Sequence, residues 1–149
     1  MAPSRNASIP LSYAQQRLWF LDQLEPDNPF YNIPVALRLT GRLDLAALTQ
    51  SFAAIVNRHE ILRTVFETGS DGVAVQTVRP NLAVEMEHID LTGLEPGQDA
   101  AWQALCRQEA AKPFDLRNGP LIRARLLRLR DSAEQQDAVL LLTMHHIVR

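Results

Sequence analysis

Apolar positions along the 149-residue chain change their period several times, and each change marks a boundary between elements. From Ser12 onward, Leu18, Trp19 and Leu21 make an apolar stripe while Gln15, Arg17 and Asp22 fall elsewhere. That is the pattern of a helix capped by Ser12 and running to about Leu24. Glu25-Pro26-Asp27-Asn28-Pro29 ends it in a loop, because a residue before proline avoids helical backbone. Val35-Ala36-Leu37-Arg38-Leu39 alternates, which predicts a strand with one buried face. Gly41 breaks that strand, and Asp44 caps a second helix in which Leu45, Leu48, Phe52, Ile55 and Val56 recur at helical spacing.

The second helix runs into Asn57-Arg58-His59-Glu60. Leu62 to Phe66 and Val73 to Val78 then flank Gly69-Ser70-Asp71-Gly72, a hairpin signal. Val84 to Ile89 is a weaker strand, and Asp99 to Ala111 is a helix with Trp102, Leu105 and Cys106 on its buried side. Pro113 to Leu116 ends that helix and Asn118-Gly119-Pro120 is a turn. Leu121 to Leu129 and Ala138 to Met144 are expected as antiparallel neighbours, joined by a charged loop from Arg130 to Asp137. Residues 1–10 are polar, contain Pro3 and Pro10, and suit a lead-in or linker. Strands and helices mixed in this way predict an α/β or α+β sandwich, with one main sheet, mixed but mainly antiparallel, and flanking helices.

The last strand is the most informative. Ala138-Val139-Leu140-Leu141-Leu142-Thr143 is aliphatic and uncharged, as in a strand buried on both faces. It leads into Met144-His145-His146. Successive side chains on a strand point to opposite faces, so the two histidines diverge. One is expected to face a cavity and the other the packed side of the sheet. An imidazole at a strand end is well placed for proton chemistry near neutral pH.

Composition narrows the classes. Hydrophobic residues make up 46% and charged residues 21%, ordinary for a globular domain. A net charge of −2 gives no footprint for nucleic acid. The single Cys106 rules out an internal disulfide framework and suits a reducing cytoplasm. No run reaches the length of a membrane span, and Met1 to Ser8 lacks the apolar core of a secretory signal.

Three segments, in order, carry a resemblance. Ser12 to Leu21 (SYAQQRLWFL), Arg58 to Phe66 (RHEILRTVF) and Met144-His145-His146 are similar to the first, second and third core motifs of the condensation domains of nonribosomal peptide synthetases. The third motif in full is HHxxxDG. Asp27 to Pro34 (DNPFYNIP) and Pro113 to Leu121 (PFDLRNGPL) are also typical of that family. The segments around YNIP and RHEILRTVF resemble more closely the type that joins two L-configured residues. The family fold is similar to chloramphenicol acetyltransferase, two lobes around a tunnel. The resemblance assigns residues 11–149 to the N-terminal lobe, with the motif's aspartate and glycine expected after Arg149 and the C-terminal lobe beyond.

The resemblance implies an enzyme of antibiotic and secondary-metabolite biosynthesis. Its parent reaction joins a donor aminoacyl or peptidyl thioester to an acceptor amine. Both substrates ride on phosphopantetheine of donor and acceptor carrier proteins, with an adenylation domain adjacent and no cofactor bound directly. By the same match His146 is the catalytic candidate, either as general base for the amine or as a group that positions it or stabilises the tetrahedral intermediate. His145 is expected to support the site through a hydrogen bond. A metal is not expected, because adjacent strand positions diverge and no Cys/His/Asp cluster completes a shell. Arg63 resembles the arginine that pairs with the motif's aspartate, a contact suited to a planar guanidinium. Its plainer reading is a solvated strand arginine.

Arg58, His59 and Glu60 need no role beyond the helix end. Ser12, Gln15, Arg17 and Trp19 are expected as cap, surface groups and core aromatic, with Ser12 and Tyr13 near the tunnel. Arg123, Arg125, Arg128 and Arg130 are expected on a solvated face, and Cys106 as a small core hydrophobe. The lobe alone is expected to be inactive. Two other readings stand beside this one: a coenzyme A-dependent acyltransferase of the same fold, and a non-catalytic module that docks a carrier protein. An exposed inter-lobe face also predicts self-association.

Overall fold

The computed structural model describes residues 8–93, 95, 99–133 and 136–149. In chain order the elements are β1 (Ile9–Pro10), α1 (Tyr13–Leu24), β2 (Asn32–Thr40), α2 (Leu45–Arg58), β3 (Thr64–Thr68), β4 (Ala74–Val78), β5 (Met86–Asp90), α3 (Asp99–Ala111), β6 (Ile122–Asp131) and β7 (Gln136–His145). Short 3-10 turns occupy Pro29–Tyr31, Glu60–Arg63 and His146–Val148.

Four strands form the larger sheet in the order β2-β7-β6-β5. β7 lies between β2 and β6 and runs antiparallel to both, while β5 runs parallel to β6 at the far edge. The central place of β7 explains its lack of a polar face. Ala138 and Leu140 pack with Phe52 and Val56 of α2 on one side. Val139 and Leu141 pack toward Trp102, Leu105 and Cys106 of α3 on the other. Each Val or Leu side chain buried in this way contributes about 1.5–3 kcal/mol by leaving water.

A second sheet, β1-β4-β3, departs from the expectation of one main sheet with a polar lead-in. The β3–β4 hairpin is its base, and Ile9 and Pro10, at the end of that lead-in, add a third strand by pairing with Gln76 and Val75 of β4. Residues 1–7 of the lead-in lie outside the described residues. A third apolar cluster joins the two sheets: Trp19 of α1, Phe66 of β3, Phe114, Leu121, and Ile147 with Val148. It anchors the turn that carries His146.

The helix starts follow the sequence. The Ser12 Oγ accepts from the Gln15 N–H at 3.2 Å, and the Gln15 side-chain oxygen accepts from the Ser12 N–H at 2.9 Å, a reciprocal cap. The Asp44 carboxylate accepts from the Ala47 N–H at 3.0 Å. The helix ends have a device in common. Arg63 donates to the Val56 carbonyl at 3.2 Å and the Asn57 carbonyl at 3.1 Å, closing α2. Arg123 donates to the carbonyls of Glu109 (3.1 Å), Lys112 (2.8 Å) and Pro113 (3.2 Å), closing α3. A guanidinium at a helix C-terminus satisfies orphan carbonyls and complements the helix dipole.

Several expectations need correction. β2 is an edge strand, so Val35 and Leu37 remain 44% and 45% exposed rather than buried. Ile55 of α2 is half-exposed as well. Leu62 and Arg63 belong to a 3-10 turn, not to the strand after it. The expected solvated arginine face is ion-paired. Arg123 and Arg125 lie on the α3 side of β6, where both meet the buried Glu109. Arg125 also pairs with Glu87 at 2.8 Å, and Arg128 pairs with Asp131. Cys106 packs as expected, and burial pushes its thiol above the ordinary range. The connection after β6 is shorter than the expected charged loop, because β6 extends to Asp131 and β7 begins at Gln136.

Candidate functional site

β7 ends at His145, and the chain at once tightens into the 3-10 turn His146–Val148. His145 starts that turn with its own side chain. Its Nδ1 accepts from the Ile147 N–H at 3.1 Å, so in the neutral ring the proton sits on Nε2. The residue is 3% exposed and its ring stands edge-on to Phe114, with centroids 6.1 Å apart. The Arg123 guanidinium lies over the Phe114 ring, 3.8 Å from its centroid. Burial, and secondly the neighbouring His146, lower the pKa of His145 to about 4. At neutral pH it is an uncharged strut.

His146 is the opposite case. It is exposed and borders an open groove of about 760 Å³. Ser12, Gln15 and Arg17 from the start of α1, with Tyr31 and the first residue of β2, Asn32, form part of the groove wall. The two histidines diverge, with the outward one over a cavity, but His146 has already left the strand, and the 3-10 turn rather than strand alternation aims it. Gln15 is held there by the helix cap and by its amide contact with Gln76 at 3.1 Å.

Arg63 does not line this groove. It is 9% exposed and borders a separate opening of about 530 Å³ with Asn57, Arg58, His59 and Glu60. The solvated reading of Arg63 is overturned, since backbone carbonyls of α2 hold its guanidinium. Tyr13, expected near the site with Ser12, is 90% exposed and is not part of the groove wall; Ser12 is.

Sequence reasoning gives no site role to Asn32, which stands directly opposite His145 in the β2–β7 ladder. Its Nδ2 donates to the Ala110 carbonyl at 3.0 Å and the Lys112 carbonyl at 2.8 Å, tying the start of β2 to the end of α3. The only signal in the sequence is its place in the DNPFYNIP stretch. Among the described residues, no group of three or more His, Cys, Asp or Glu side chains is placed to hold a metal ion. Among the same residues, no helix is long and apolar enough to cross a membrane.

A helix-flanked, mainly antiparallel sheet, with an outward histidine at the end of its central strand, places the chain among folds similar to chloramphenicol acetyltransferase. A family model for the condensation domain matches residues 5–149, and the chain belongs to that family. Over 146 residues it is 53% identical to a linear gramicidin synthase of Brevibacillus parabrevis, covering 97% of this chain and 2% of the relative. Over 147 residues it is 43% identical to phosphinothricin tripeptide synthetase PhsC of Streptomyces viridochromogenes, covering 98% of this chain and 13% of the relative.

Among solved structures it is similar to an arginine-to-alanine mutant of the starter condensation domain of rhizomide synthetase RzmA, with a TM-score of 0.84 and 29% identity over 95% of this chain and 33% of that one. The first condensation domain of the calcium-dependent antibiotic synthetase, solved with a substrate analogue, gives a TM-score of 0.82 and 26% identity over 94% of this chain and 33% of that one. The chain thus spans about a third of the solved condensation domains and a small part of the curated synthetases it matches. It is a fragment of a peptide-synthetase condensation domain, covering the N-terminal portion.

Proposed function

We propose that the chain supplies the N-terminal lobe and the histidine motif of a condensation domain that forms an amide bond between two carrier-bound substrates. The donor is an aminoacyl or peptidyl thioester, the acceptor an aminoacyl amine, and each is held on the phosphopantetheine of a carrier protein. Nitrogen attacks the thioester carbon, the C–N bond forms, the C–S bond breaks, and the donor carrier's thiol leaves. The amine loses a proton on the way.

His146 is the residue assigned to that proton, or to the positioning of the amine. The observation that carries the assignment is the arrangement of the pair: His146 opens onto the groove while His145 is buried, neutral and bonded to its own turn. His145 is a support for the turn. Arg63 is a second support, held at the end of α2 beside an opening where a carboxylate of the HHxxxDG motif is its expected partner. Donor and acceptor carriers, the rest of the condensation domain and an adjacent adenylation domain are the partners this reading requires.

The test is a condensation assay with aminoacyl-loaded donor and acceptor carriers. It compares the 149-residue chain, the chain extended to the full length of the solved condensation domains, and the extended chain carrying His146→Ala. Dipeptide is expected from the extended wild type and not from the 149-residue chain, with the extended His146→Ala lower than the extended wild type by about 10²–10⁴-fold, the usual contribution of a positioned acid or base. An extended domain equally active without His146 would overturn the assignment.

A further inference from the structure

The Asn32 carboxamide has a fixed orientation and an unmet need. Its Nδ2 donates to two carbonyls at the end of α3, so exchanging nitrogen and oxygen would set oxygen against oxygen. That leaves Oδ1 buried with no hydrogen-bond partner in the structure. A buried acceptor in that condition is unusual and calls for a donor nearby. The nearest candidate by topology is His145, the residue directly opposite Asn32 in the ladder, where side chains of facing residues share one side of the sheet. His145 uses Nδ1 to accept from the Ile147 N–H, so its neutral ring carries a proton on Nε2. Among the described residues that nitrogen makes no hydrogen bond. A buried unmet acceptor and an imidazole N–H without a protein partner therefore belong to facing residues of the ladder, one residue away from His146.

We propose that Asn32 is a positioning residue for His146, acting through His145: its Oδ1 accepts the His145 Nε2–H, directly or through one bound water. The Asn32 amide is held by its two donated bonds, so the contact closes through an adjustment of the imidazole about its broad terminal torsion, or through one water in the polar site. One uncharged imidazole then spans two elements. Nδ1 holds the turn that presents His146, and Nε2 fastens that turn to β2 and, through the Asn32 amide, to the end of α3. The role of His146 in this inference rests on the proposed function; the contact itself does not.

The test reads the contact without an activity measurement. Long-range proton–nitrogen correlation spectra of the ¹⁵N-labelled 149-residue chain report the tautomer and titration of each histidine. The wild type is expected to show His145 as the Nε2–H tautomer. In Asn32→Asp a carboxylate replaces the amide oxygen, and the His145 pKa is expected to rise by about one unit or more toward the ordinary range. The other titratable or charged groups that face the ring, His146 beside it and Arg123 across Phe114, are unchanged in that variant.

A wild-type His145 in the Nδ1–H tautomer, or an Asn32→Asp titration that coincides with the wild type, overturns the inference. The wild type alone gives a second reading: a His145 Nε2–H bonded to Asn32 is expected to exchange slowly with water and to be seen directly, and a proton lost to fast exchange overturns the inference, so an unfolded Asn32→Asp does not leave the question open. In the extended domain, Asn32→Ala is expected to lower kcat by about tenfold, with KM for the acceptor unchanged, a loss at the low end for a disturbed acid or base. A raised KM with kcat unchanged would instead make Asn32 a substrate contact and overturn its role through His145.

Discussion

Replacing Arg123 with methionine separates the structural weight of one arginine from that of its neighbour. Arg123 pairs with Glu109, whose side chain is buried, covers Phe114 and donates to three carbonyls at the end of α3. Removing it leaves the Glu109 carboxylate out of water with Arg125, 3.4 Å away, as its remaining cation. Breaking a buried pair costs about 3–5 kcal/mol, and the help from Arg125 puts the expected loss near the lower end, about 3 kcal/mol.

Arg125→Met is the control. It removes a pair with Glu87, whose side chain is 58% exposed, while Glu109 keeps Arg123, so the expected loss is about 0.2–1 kcal/mol. Urea unfolding at pH 7, followed by the fluorescence of Trp19 and Trp102, measures both. In thermal melts the Arg123 variant is expected about 6–12 °C below the wild type at this chain length. The double variant Glu109→Met/Arg123→Met removes the stranded charge and is expected to recover at least about 1 kcal/mol of the single loss. Equal midpoints for Arg123→Met and Arg125→Met, or a double variant weaker than Arg123→Met, refute the reasoning.

His145 gives the fold a pH dependence with a defined sign. Its folded pKa, about 4, lies below the unfolded value near 6.5, so the unfolded chain binds the proton more readily. The contribution is fully present above about pH 6.5 and is lost as pH falls through 4, roughly 3 kcal/mol across that window. Urea midpoints between pH 7 and 4 should show this slope in the wild type and not in His145→Gln. Gly119 has φ +62, and a Cβ there would meet the Val65 Cγ1 at 3.0 Å, so Gly119→Ala is expected to cost about 1–3 kcal/mol in the same assay. An unchanged midpoint for that variant would show that the turn adjusts freely.

The helices were legible because their signals are local. Ser12, Asp44 and the apolar spacing placed α1 and α2, and the apolar run placed β7 with its diverging histidines. What the sequence hid depends on neighbours distant along the chain. Alternation says that Val35 and Leu37 share a face, but not that β2 lies at an edge where that face is half covered. Arg123 and Arg125 alternate as expected, yet their partner Glu109 lies on a helix that the strand meets only after folding. Arg63 reads as the start of a strand until the carbonyls of Val56 and Asn57 are seen within its reach. Asn32 gained a place at the site only once the fold set it in the groove wall and opposite His145.

The position of β2 has a consequence for how the sheet meets other chains. A nine-residue outer strand with exposed Val35 and Leu37 is a template onto which a foreign strand can add. Pro34 and Arg38 interrupt that template, one on each side of the exposed pair. Proline brings no N–H to a further ladder and is tolerated because the strand lies at the border. Arg38 sets a charge beside Leu37, and the buried Asp137 holds it in place at 2.6 Å and 3.2 Å from its two donors. The border of the sheet is thus guarded by its own sequence against uncontrolled polymerisation.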